Sequence, residues 1–239
     1  MHYVISDIHG CYNQYKDLIA KINLKPTDTL YILGDVVDRG PEPTEILLDM
    51  SGRDNVIPLM GNHEEMAIPT LTKMYTKNIS YNEKAEFVLR LDISSRLDYE
   101  MWYANGGKTT MDSFLKLSLQ DRHKIIKYLS TFKQYTEVQV NNMDYILIHA
   151  GFPKFEFSPN KPLSEYEKGD FLWARLDYSK TYFTDKYIVT GHTPTPNIEE
   201  NNKGEIIIRN KNIAIDCGCV YGFRLAAFCL ETQEAVYSQ

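Results

Sequence analysis

The 239-residue sequence has few cysteines and no C-x-x-C pair. The four cysteines are Cys11, Cys217, Cys219 and Cys229. This density excludes a disulfide scaffold, so we expect reduced thiols and a cytoplasmic location. The chain also lacks a charged N-terminal region that leads into an apolar stretch of the signal-peptide kind. No apolar run approaches the roughly 20 residues that span a bilayer, so we expect neither export nor membrane association.

Sustained runs of lysine and arginine are also absent, and the formal net charge is −6. This balance argues against nucleic acid as a partner, and an anionic substrate would need positive groups placed locally. Tandem repeats and low-complexity segments are missing too. The hydrophobic content of 43% and the charged content of 24% are those of an ordinary folded protein. We expect residues 1–239 to form a single domain, with the oligomeric state left open.

The N-terminal part alternates between strands and helices. The apolar run at 2–5 predicts a strand, the helical spacing of apolar residues across 11–22 predicts a helix, and the run at 29–33 predicts a second strand. Thr44 can cap a further helix, and 56–60 predicts a third short strand. This alternation is typical of an α/β protein.

Residues 65–132 have a different character, with long helical patterns and few β runs. They predict a helical insertion or cap, in which we expect substrate specificity to reside. Within it, Gly106-Gly107-Lys108-Thr109 resembles part of a phosphate-binding P-loop. That motif needs a glycine five positions before Gly107, where Trp102 stands, so we reject it. A glycine-led start of a helix over 109–117 is the better account.

The C-terminal part is rich in strands, which gives the α/β chain an α+β character. Runs at 136–140 and 145–148 flank Asn141-Asn142 and predict a hairpin. Residues 187–190 predict another strand. Further strand-like runs lie at 205–208, 212–216, 223–230 and 235–237. We expect these last runs to pair antiparallel.

Polar residues able to bind metals follow most of the predicted strands. They are Asp7, His9, Asp35, Asn62, His149 and His192. Each is weak evidence alone, since a histidine at a strand end is more often a surface or hydrogen-bonded residue than a ligand. Six in one topology indicate a metal site, because α/β sheets keep their sites at strand ends. In an extended chain Asp7 and His9 would face the same side and could chelate one ion.

Asp35 is the centre of this predicted site. It lies in Gly34-Asp35-Val36-Val37-Asp38-Arg39-Gly40, whose flanking glycines permit sharp turns. One carboxylate has two oxygens and can bridge two cations. Oxygen and imidazole ligands without cysteine favour divalent Mn²⁺, with Fe or Zn²⁺ as alternatives, over an all-oxygen Mg²⁺ or Ca²⁺ cage.

The motifs D-x-H, G-D-x-x-D-R-G, G-N-H-E, H-A-G and G-H-T occur in this order over residues 3–230. In them the chain resembles the calcineurin-like metallophosphoesterases, and more narrowly the compact bacterial and bacteriophage serine/threonine phosphatases of the phosphoprotein-phosphatase family. The resemblance implies a β-sandwich flanked by helices, with a dinuclear metal centre at its rim. The implied ligands are Asp7 and His9 for one ion, Asn62, His149 and His192 for the other, and Asp35 between them.

The resemblance also implies a reaction. Two divalent ions would acidify a shared water, which would attack phosphorus in line as hydroxide without a covalent phosphoenzyme. His63 is similar to the family's general acid, and Asp38 to the carboxylate that orients it and keeps it protonated. Arg39 and Arg175 are similar to the arginines that grip phosphate oxygens. Glu64 has a supporting role.

Three functions remain open at this point, and the first is a serine/threonine phosphatase acting on phosphoproteins. Met60 directly precedes G-N-H-E, where many protein phosphatases of the family have a basic residue. Enzymes that hydrolyse dinucleoside polyphosphates such as diadenosine tetraphosphate also lack that residue, which keeps this activity as the alternative. The third function is a metal-free binding scaffold, against which the complete set of ligands argues. Tyr221 lines the pocket or is buried in the core, and His2 and His123 are given no role.

Overall fold

The computed structural model describes residues 1–153 and 157–239. The strands are β1 (His2–Ile5), β2 (Thr29–Ile32), β3 (Val56–Pro58), β4 (Tyr135–Val140), β5 (Met143–Ile148), β6 (Lys186–Thr190), β7 (Ile207–Arg209), β8 (Asn212–Ala214), β9 (Ala226–Cys229) and β10 (Ala235–Tyr237). Within the described residues these strands form two five-stranded sheets. The strand order is β10-β9-β1-β2-β3 in the first sheet and β4-β5-β6-β8-β7 in the second.

Helices surround the two sheets. They are α1 (Tyr12–Lys21), α2 (Pro43–Met50), α3 (Asn62–Thr76), α4 (Lys84–Leu89), α5 (Ile93–Trp102), α6 (Lys108–Phe114), α7 (Leu119–Leu129), α8 (Lys168–Trp173) and α9 (Thr195–Ile198). A short π-helical turn, Tyr103–Gly107, joins α5 to α6. In the part of the chain that the structure describes, none of these helices has the length and apolar character needed to cross a membrane.

The strands alternate their side chains between two faces, and this alternation builds three apolar layers. Val4 of β1 and Leu147 of β5 belong to the layer between the two sheets. Ile5 of β1 packs among helical residues on the outer face of the first sheet. Ile146 of β5 shares a cluster with Phe171 of α8 on the outer face of the second sheet. The predicted β-sandwich flanked by helices is therefore confirmed.

Each sheet contains three parallel strands. β1, β2 and β3 are parallel in the first sheet, and β5, β6 and β8 are parallel in the second. The prediction of antiparallel C-terminal strands holds for β9 and β10. It also holds for β8, which pairs antiparallel with β7. On its other side β8 runs parallel to β6, because α9 and β7 provide a connection long enough for a crossover. The carboxyl ends of the parallel strands carry the predicted ligands.

Several elements lie close to the positions that turn and cap residues predict. The hairpin β4–β5 turns at Asn141 and Asn142, whose φ angles of 51° and 61° are those of a primed turn. Helix α2 begins one residue before the predicted cap Thr44, because Pro43 fits the first helical position. The predicted glycine-led helix begins at Lys108 and ends at Phe114.

The segment from 65 to 132 holds most of α3 and all of α4 to α7. Its buried residues Met66, Trp102 and Ile125 pack in the same cluster as Ile5. The segment therefore forms a helical layer on the outer face of the first sheet. Helix α3 begins at Asn62, so this predicted ligand lies on the first turn of a helix. The role of the segment in specificity stays a prediction.

Candidate metal centre and active site

The predicted ligands converge from both sheets at one rim of the sandwich. Asp7 and His9 follow β1, Asp35 follows β2, Asn62 begins the helix after β3, His149 follows β5 and His192 lies two residues beyond β6. Two groups of ligand atoms lie within 4.8 Å of one another, one from Asp35, His9 and His63, the other from Asp35, His149 and His192. Asp35 belongs to both groups. All but His192 are buried.

The backbone at the site is strained. The φ angles are 51° at Asp7, 45° at His9, 52° at Asp35 and 64° at His192. Non-glycine residues seldom adopt this left-handed region, and where they do the surroundings must hold them there. The prediction that Asp7 and His9 lie on one side of an extended segment is therefore wrong. A turn brings them to the same rim.

Asp35 faces three imidazoles. Its Oδ2 lies 3.6 Å from Nε2 of His9, 3.5 Å from Nε2 of His149 and 3.9 Å from Nε2 of His63. Its Oδ1 accepts a hydrogen bond from the backbone N–H of His63 at 3.0 Å. Burial raises the pKa of Asp35 well above its ordinary value, and the neighbouring Asp7 and Glu64 raise it further against the opposing charge of His63. A buried carboxylate of this kind needs positive charge beside it.

The contacts of His149 and Asn62 fit a divalent cation. His149 Nδ1 lies 2.6 Å from the carbonyl oxygen of Leu33, which can only accept, so Nδ1 carries the proton. The lone pair of its Nε2 then faces Oδ1 of Asn62 at 2.9 Å and Oδ2 of Asp35 at 3.5 Å. Three acceptors that face one another without a proton repel, and a cation between them removes the repulsion.

His9 is held through both of its ring nitrogens. Its Nδ1 donates to the carbonyl oxygen of Val37 at 2.8 Å, and Arg39 Nη1 donates to its Nε2 at 2.6 Å. Burial lowers the pKa of His9 well below its ordinary value, and the charges of His63 and Arg39 lower it further. The imidazole is therefore neutral, which is the form that binds a metal.

Asp7 ties the two sheets together at the rim. Its Oδ2 accepts a hydrogen bond from the backbone N–H of His192 at 2.9 Å and another from the hydroxyl of Ser6. Among the described residues Asp7 lies outside both groups of converging ligand atoms. Its charge nevertheless raises the pKa of Asp35 and that of a further buried acid, Asp216. For both groups burial is the larger cause.

His63 and Asp38 form a buried pair. His63 Nδ1 lies 2.7 Å from Oδ2 of Asp38, and neither side chain is more than 1% exposed. Burial alone would lower the pKa of His63, but the charge of Asp35 and the hydrogen bond to Asp38 outweigh it, so the pKa of His63 is raised. Since Nδ1 is engaged with Asp38, Nε2 is the ring nitrogen that faces Asp35, at 3.9 Å from Oδ2.

The two predicted arginines lie at the open side of the site. The guanidinium of Arg39 stands over the ring of Tyr221 at 5.7 Å, and Arg175 Nη1 donates to Oγ1 of Thr193 at 2.9 Å. Burial lowers the pKa of His192 most, and the charges of His149 and then of Arg175 lower it further. Tyr221 is 57% exposed, so it lines the site rather than the core.

Glu64 holds the loop that carries Asp35. Its Oε2 accepts the backbone N–H of Asp35 at 2.8 Å and that of Gly61 at 3.0 Å. Its Oε1 accepts the N–H of Val36 at 2.8 Å and that of Val37 at 3.1 Å. The supporting role predicted for Glu64 thus corresponds to four backbone hydrogen bonds onto a fully buried carboxylate.

Replacement of Glu64 tests how firmly this loop is held. In Glu64→Ala four buried donors lose their acceptor, so we expect the free energy of unfolding to fall by at least ~3 kcal/mol. Chemical denaturation of the metal-free protein measures this change. Glu65→Ala is the matched control on the same helix, since the Glu65 carboxylate bonds to the half-exposed Trp173 and Lys168. An equal loss in both variants would contradict the role of Glu64.

Two glycines bring the loops after β2 and β3 into contact. Gly34 has a φ of 84°, and a Cβ at this position would lie 2.3 Å from the backbone nitrogen of Gly61. A Cβ on Gly61 would lie 2.2 Å from Oδ1 of Asp35. Both glycines are thus required by the close approach that places Asp35 beside Asn62.

Sequence reasoning missed several residues that contact the site. Asp216 follows β8 as the other acids follow their strands, and this signal could have identified it. Trp102 and Thr110 both hydrogen-bond to Asp38, from positions 64 and 72 residues further along the chain. No local pattern indicates such a contact. Met60 packs in the core beside the helices, so the family's basic residue has no direct counterpart here.

The comparison with protein families agrees with this geometry. Residues 3–214 match the family model described as calcineurin-like phosphoesterase. The chain belongs to this family. It is therefore a phosphoric ester hydrolase, and the family implies divalent metal ions at the ligand groups around Asp35.

Two relatives of this phosphoesterase are named for different substrates. Serine/threonine-protein phosphatase 2 of Salmonella typhimurium is 30% identical over 177 residues, which cover 72% of this chain and 67% of the relative. The asymmetrical bis(5'-nucleosyl)-tetraphosphatase of a Geobacillus species is 26% identical over 249 residues, which cover 94% of this chain and 88% of the relative.

Solved structures show the same fold. A protein serine/threonine phosphatase from Saccharomyces cerevisiae matches with a TM-score of 0.58 at 16% identity, over 100% of this chain and 79% of that one. A metallophosphoesterase from Sphaerobacter thermophilus matches with a TM-score of 0.54 at 16% identity, over 99% of this chain and 87% of that one. At this identity the likeness concerns the fold alone.

Proposed function

We propose that this phosphoesterase is a serine/threonine protein phosphatase with two divalent cations, in the first place Mn²⁺. The observation that carries the proposal is the position of Asp35, whose carboxylate belongs to both groups of converging ligand atoms. The residues that would hold the cations are Asp7 and His9 on one side, Asn62, His149 and His192 on the other, and Asp35 between them. The mixture of oxygen and imidazole ligands suits Mn²⁺, Fe or Zn²⁺.

The residues around the cations have separate tasks in this proposal. When bound, the ions neutralise charge on the phosphoryl oxygens and make water a stronger nucleophile at neutral pH. Arg39 and Arg175 would hold phosphate oxygens with their planar guanidinium groups. His63 would give its Nε2 proton to the seryl or threonyl oxygen as the P–O bond breaks, while Asp38 holds the imidazole in place through Nδ1.

A phosphoprotein substrate is supported by the openness of the arginine side of the site. Tyr221 and the neighbouring Phe223 are exposed, and Arg39 lies against Tyr221. A phosphorylated side chain can therefore approach from solvent with its polypeptide lying outside. The relative named serine/threonine-protein phosphatase 2 agrees with this substrate class.

A second candidate function is the hydrolysis of dinucleoside polyphosphates. Trp173 is 44% exposed and its ring lies 6.4 Å from that of His192, while the 57% exposed Tyr221 lies beside Arg39. Exposed aromatic faces next to phosphate-binding arginines suit the stacking of a nucleobase. The relatives named bis(5'-nucleosyl)-tetraphosphatase and the absence of a basic residue at Met60 favour the same substrate.

We propose the cytoplasm as the location of this enzyme. Its four cysteines are buried and free, as thiols are in a reducing compartment. Export of the chain to an oxidising compartment and formation of disulfides there would contradict this proposal.

Parallel assays with the two classes of substrate distinguish the two activities. Chelator-treated protein is expected to be inactive, and addition of Mn²⁺ is expected to restore turnover, since the charge on the phosphoryl oxygens is then neutralised. Phosphoserine and phosphothreonine peptides and diadenosine tetraphosphate are supplied in parallel, with free phosphate and nucleotides quantified separately.

We expect free phosphate from the peptides at the higher kcat/KM. A higher value for the dinucleotide, with ADP or with ATP and AMP as products, would favour the second function. Inactivity on both substrates after metal loading would contradict the proposal of a phosphatase.

A further inference from the structure

The buried carboxylate of Asp38 is held by the helical layer as well as by His63. Trp102 Nε1 lies 3.0 Å from both carboxylate oxygens of Asp38. The hydroxyl of Thr110 donates to Oδ1 at 2.6 Å and accepts the backbone N–H of Asp38 at 2.8 Å. Asp38, Trp102 and Thr110 are all completely buried. Within the described residues, His63, Trp102 and Thr110 supply the side-chain donors to this carboxylate.

The backbone at Asp38 also depends on this helical layer. Asp38 and Arg39 are two consecutive non-glycine residues in the left-handed region, with φ angles of 72° and 66°. Non-glycine residues seldom adopt this conformation, so surrounding contacts must stabilise the turn. The carbonyl oxygen of Gly106 accepts the N–H of Arg39 at 3.1 Å, and Thr110 accepts that of Asp38.

The glycines of the rejected P-loop sequence take part in this arrangement. A Cβ on Gly107 would lie 2.5 Å from the indole ring of Trp102, so only glycine lets the ring lie against this turn. Gly106 has a φ of 105° and directs its carbonyl oxygen to Arg39. The sequence from Trp102 to Thr110 thus forms one unit, in which the two side-chain donors and one carbonyl acceptor meet the Asp38–Arg39 turn.

We propose that Trp102 and Thr110 are positioning residues that fix Asp38, and through it the imidazole of His63, for protonation of the leaving group. The inference rests on the proposed phosphatase reaction. His63 touches Asp38 through Nδ1, and Asp38 has few ways to move while two further donors hold its oxygens. Loss of either donor frees the carboxylate to rotate, and the Nε2 proton of His63 then points less often at the leaving oxygen.

Two conservative variants separate this role from a merely structural one. Trp102→Phe keeps an aromatic ring and removes Nε1–H, and Thr110→Val keeps the shape and removes the hydroxyl. We expect each to lower kcat by about tenfold for a phosphoserine peptide, whose alkoxide needs a proton. With 2,4-dinitrophenyl phosphate, whose leaving group needs none, we expect less than a twofold loss. Thr110→Ser is expected to restore the peptide rate, and Thr131→Val is the control in the helical layer, because the exposed Thr131 hydroxyl donates to the carbonyl oxygen of Tyr128.

A double-mutant cycle with His63→Ala tests whether the effect passes through His63. In that background Trp102→Phe and Thr110→Val are expected to change kcat by less than twofold. A full tenfold loss there, or an equal loss with both substrates in the single variants, would overturn the proposal. Thermal unfolding of each variant identifies any loss that reflects misfolding, and Thr110→Ser tests the hydroxyl in a variant with the least change of shape.

A readout that needs no turnover keeps this inference distinct from the proposed function. The Nδ1–H proton of His63 can be observed by NMR in the metal-free protein and assigned by its absence in His63→Ala. We expect this signal to shift upfield or broaden in Trp102→Phe and Thr110→Val, because the bond to Asp38 is less well held. An unchanged signal would overturn the positioning role. A changed signal in a protein inactive on every phosphoester would contradict only the proposed function.

Discussion

In Asp35→Asn we expect metal-dependent turnover to fall by roughly 10³-fold or more. The carboxylate faces the Nε2 atoms of His9 and His149 at 3.6 and 3.5 Å, and the proposed cations would share its charge. An amide keeps the shape but removes the negative charge that binds both ions. Metal ions stabilise transition-state charge by several kcal/mol, and about 4 kcal/mol corresponds to a thousandfold in rate.

Stability provides a second measurement on the same variant. Burial raises the pKa of Asp35, so its charge is unfavourable in the metal-free protein. We therefore expect metal-free Asp35→Asn to unfold at the wild-type temperature or above it. Wild type is expected to gain stability when Mn²⁺ is added, since ligands that bind only the folded state stabilise it, and the variant is expected to gain little.

Asp28→Asn is the matched control for this experiment. Asp28 is also a buried aspartate, but it precedes β2 whereas Asp35 follows it, and it binds the N-terminal amino group at 2.9 Å. Its replacement is expected to leave Mn²⁺-induced stabilisation and turnover unchanged. Retention of both properties in Asp35→Asn would contradict the assignment of the metal centre.

The sequence was informative about this site because its chemistry is local to strand ends. Asp7, Asp35, His149 and His192 each follow an apolar run within a few residues, and parallel strands bring such ends to one rim. The alternation of side chains also predicts which strand residues face the second sheet. These properties depend on a period of two residues and on chain direction, both of which a sequence displays.

The backbone conformation of the site could not be predicted in the same manner. Asp7 and His9 were expected to share one side of an extended strand, but both have a positive φ. Their strain is maintained by distant contacts, such as the backbone N–H of His192 on Asp7. Such conformations result from tertiary hydrogen bonds and override local preference, so no pattern in the segment itself indicates them.

Contacts between the helical layer and the site were also beyond prediction. Gly106 and Gly107 predict the start of a helix, which is correct for α6. Their second role, close packing against Arg39 and Trp102, depends on how the helical layer lies on the first sheet. Packing of helices on a sheet is determined by many apolar contacts at once, so the partner of a single buried Trp102 cannot be identified from its neighbours.

In His63→Ala we expect kcat for phosphoserine peptides to fall by about 10²–10⁴-fold, the usual contribution of a general acid. The loss is expected to be much smaller with 2,4-dinitrophenyl phosphate, because this leaving group departs without a proton. Parallel kinetics with both substrates, in protein fully loaded with Mn²⁺, measure the difference. Exposed His123, whose ring contacts Tyr75, provides the control His123→Ala.

The pH dependence of the rate on peptides gives a second test of His63. Without metal, the charge of Asp35 and the bond to Asp38 outweigh burial and raise the pKa of His63. The bond to Asp38 persists when cations share the charge of Asp35, so we expect the imidazole to stay protonated above its ordinary range. The wild-type rate on peptides is therefore expected to hold above pH ~6.5, the ordinary histidine value, and to fall only as the pH rises through the raised pKa. Since alanine has no proton to lose, His63→Ala should lack this alkaline decrease. An alkaline decrease of unchanged midpoint in His63→Ala would show that another group supplies the proton.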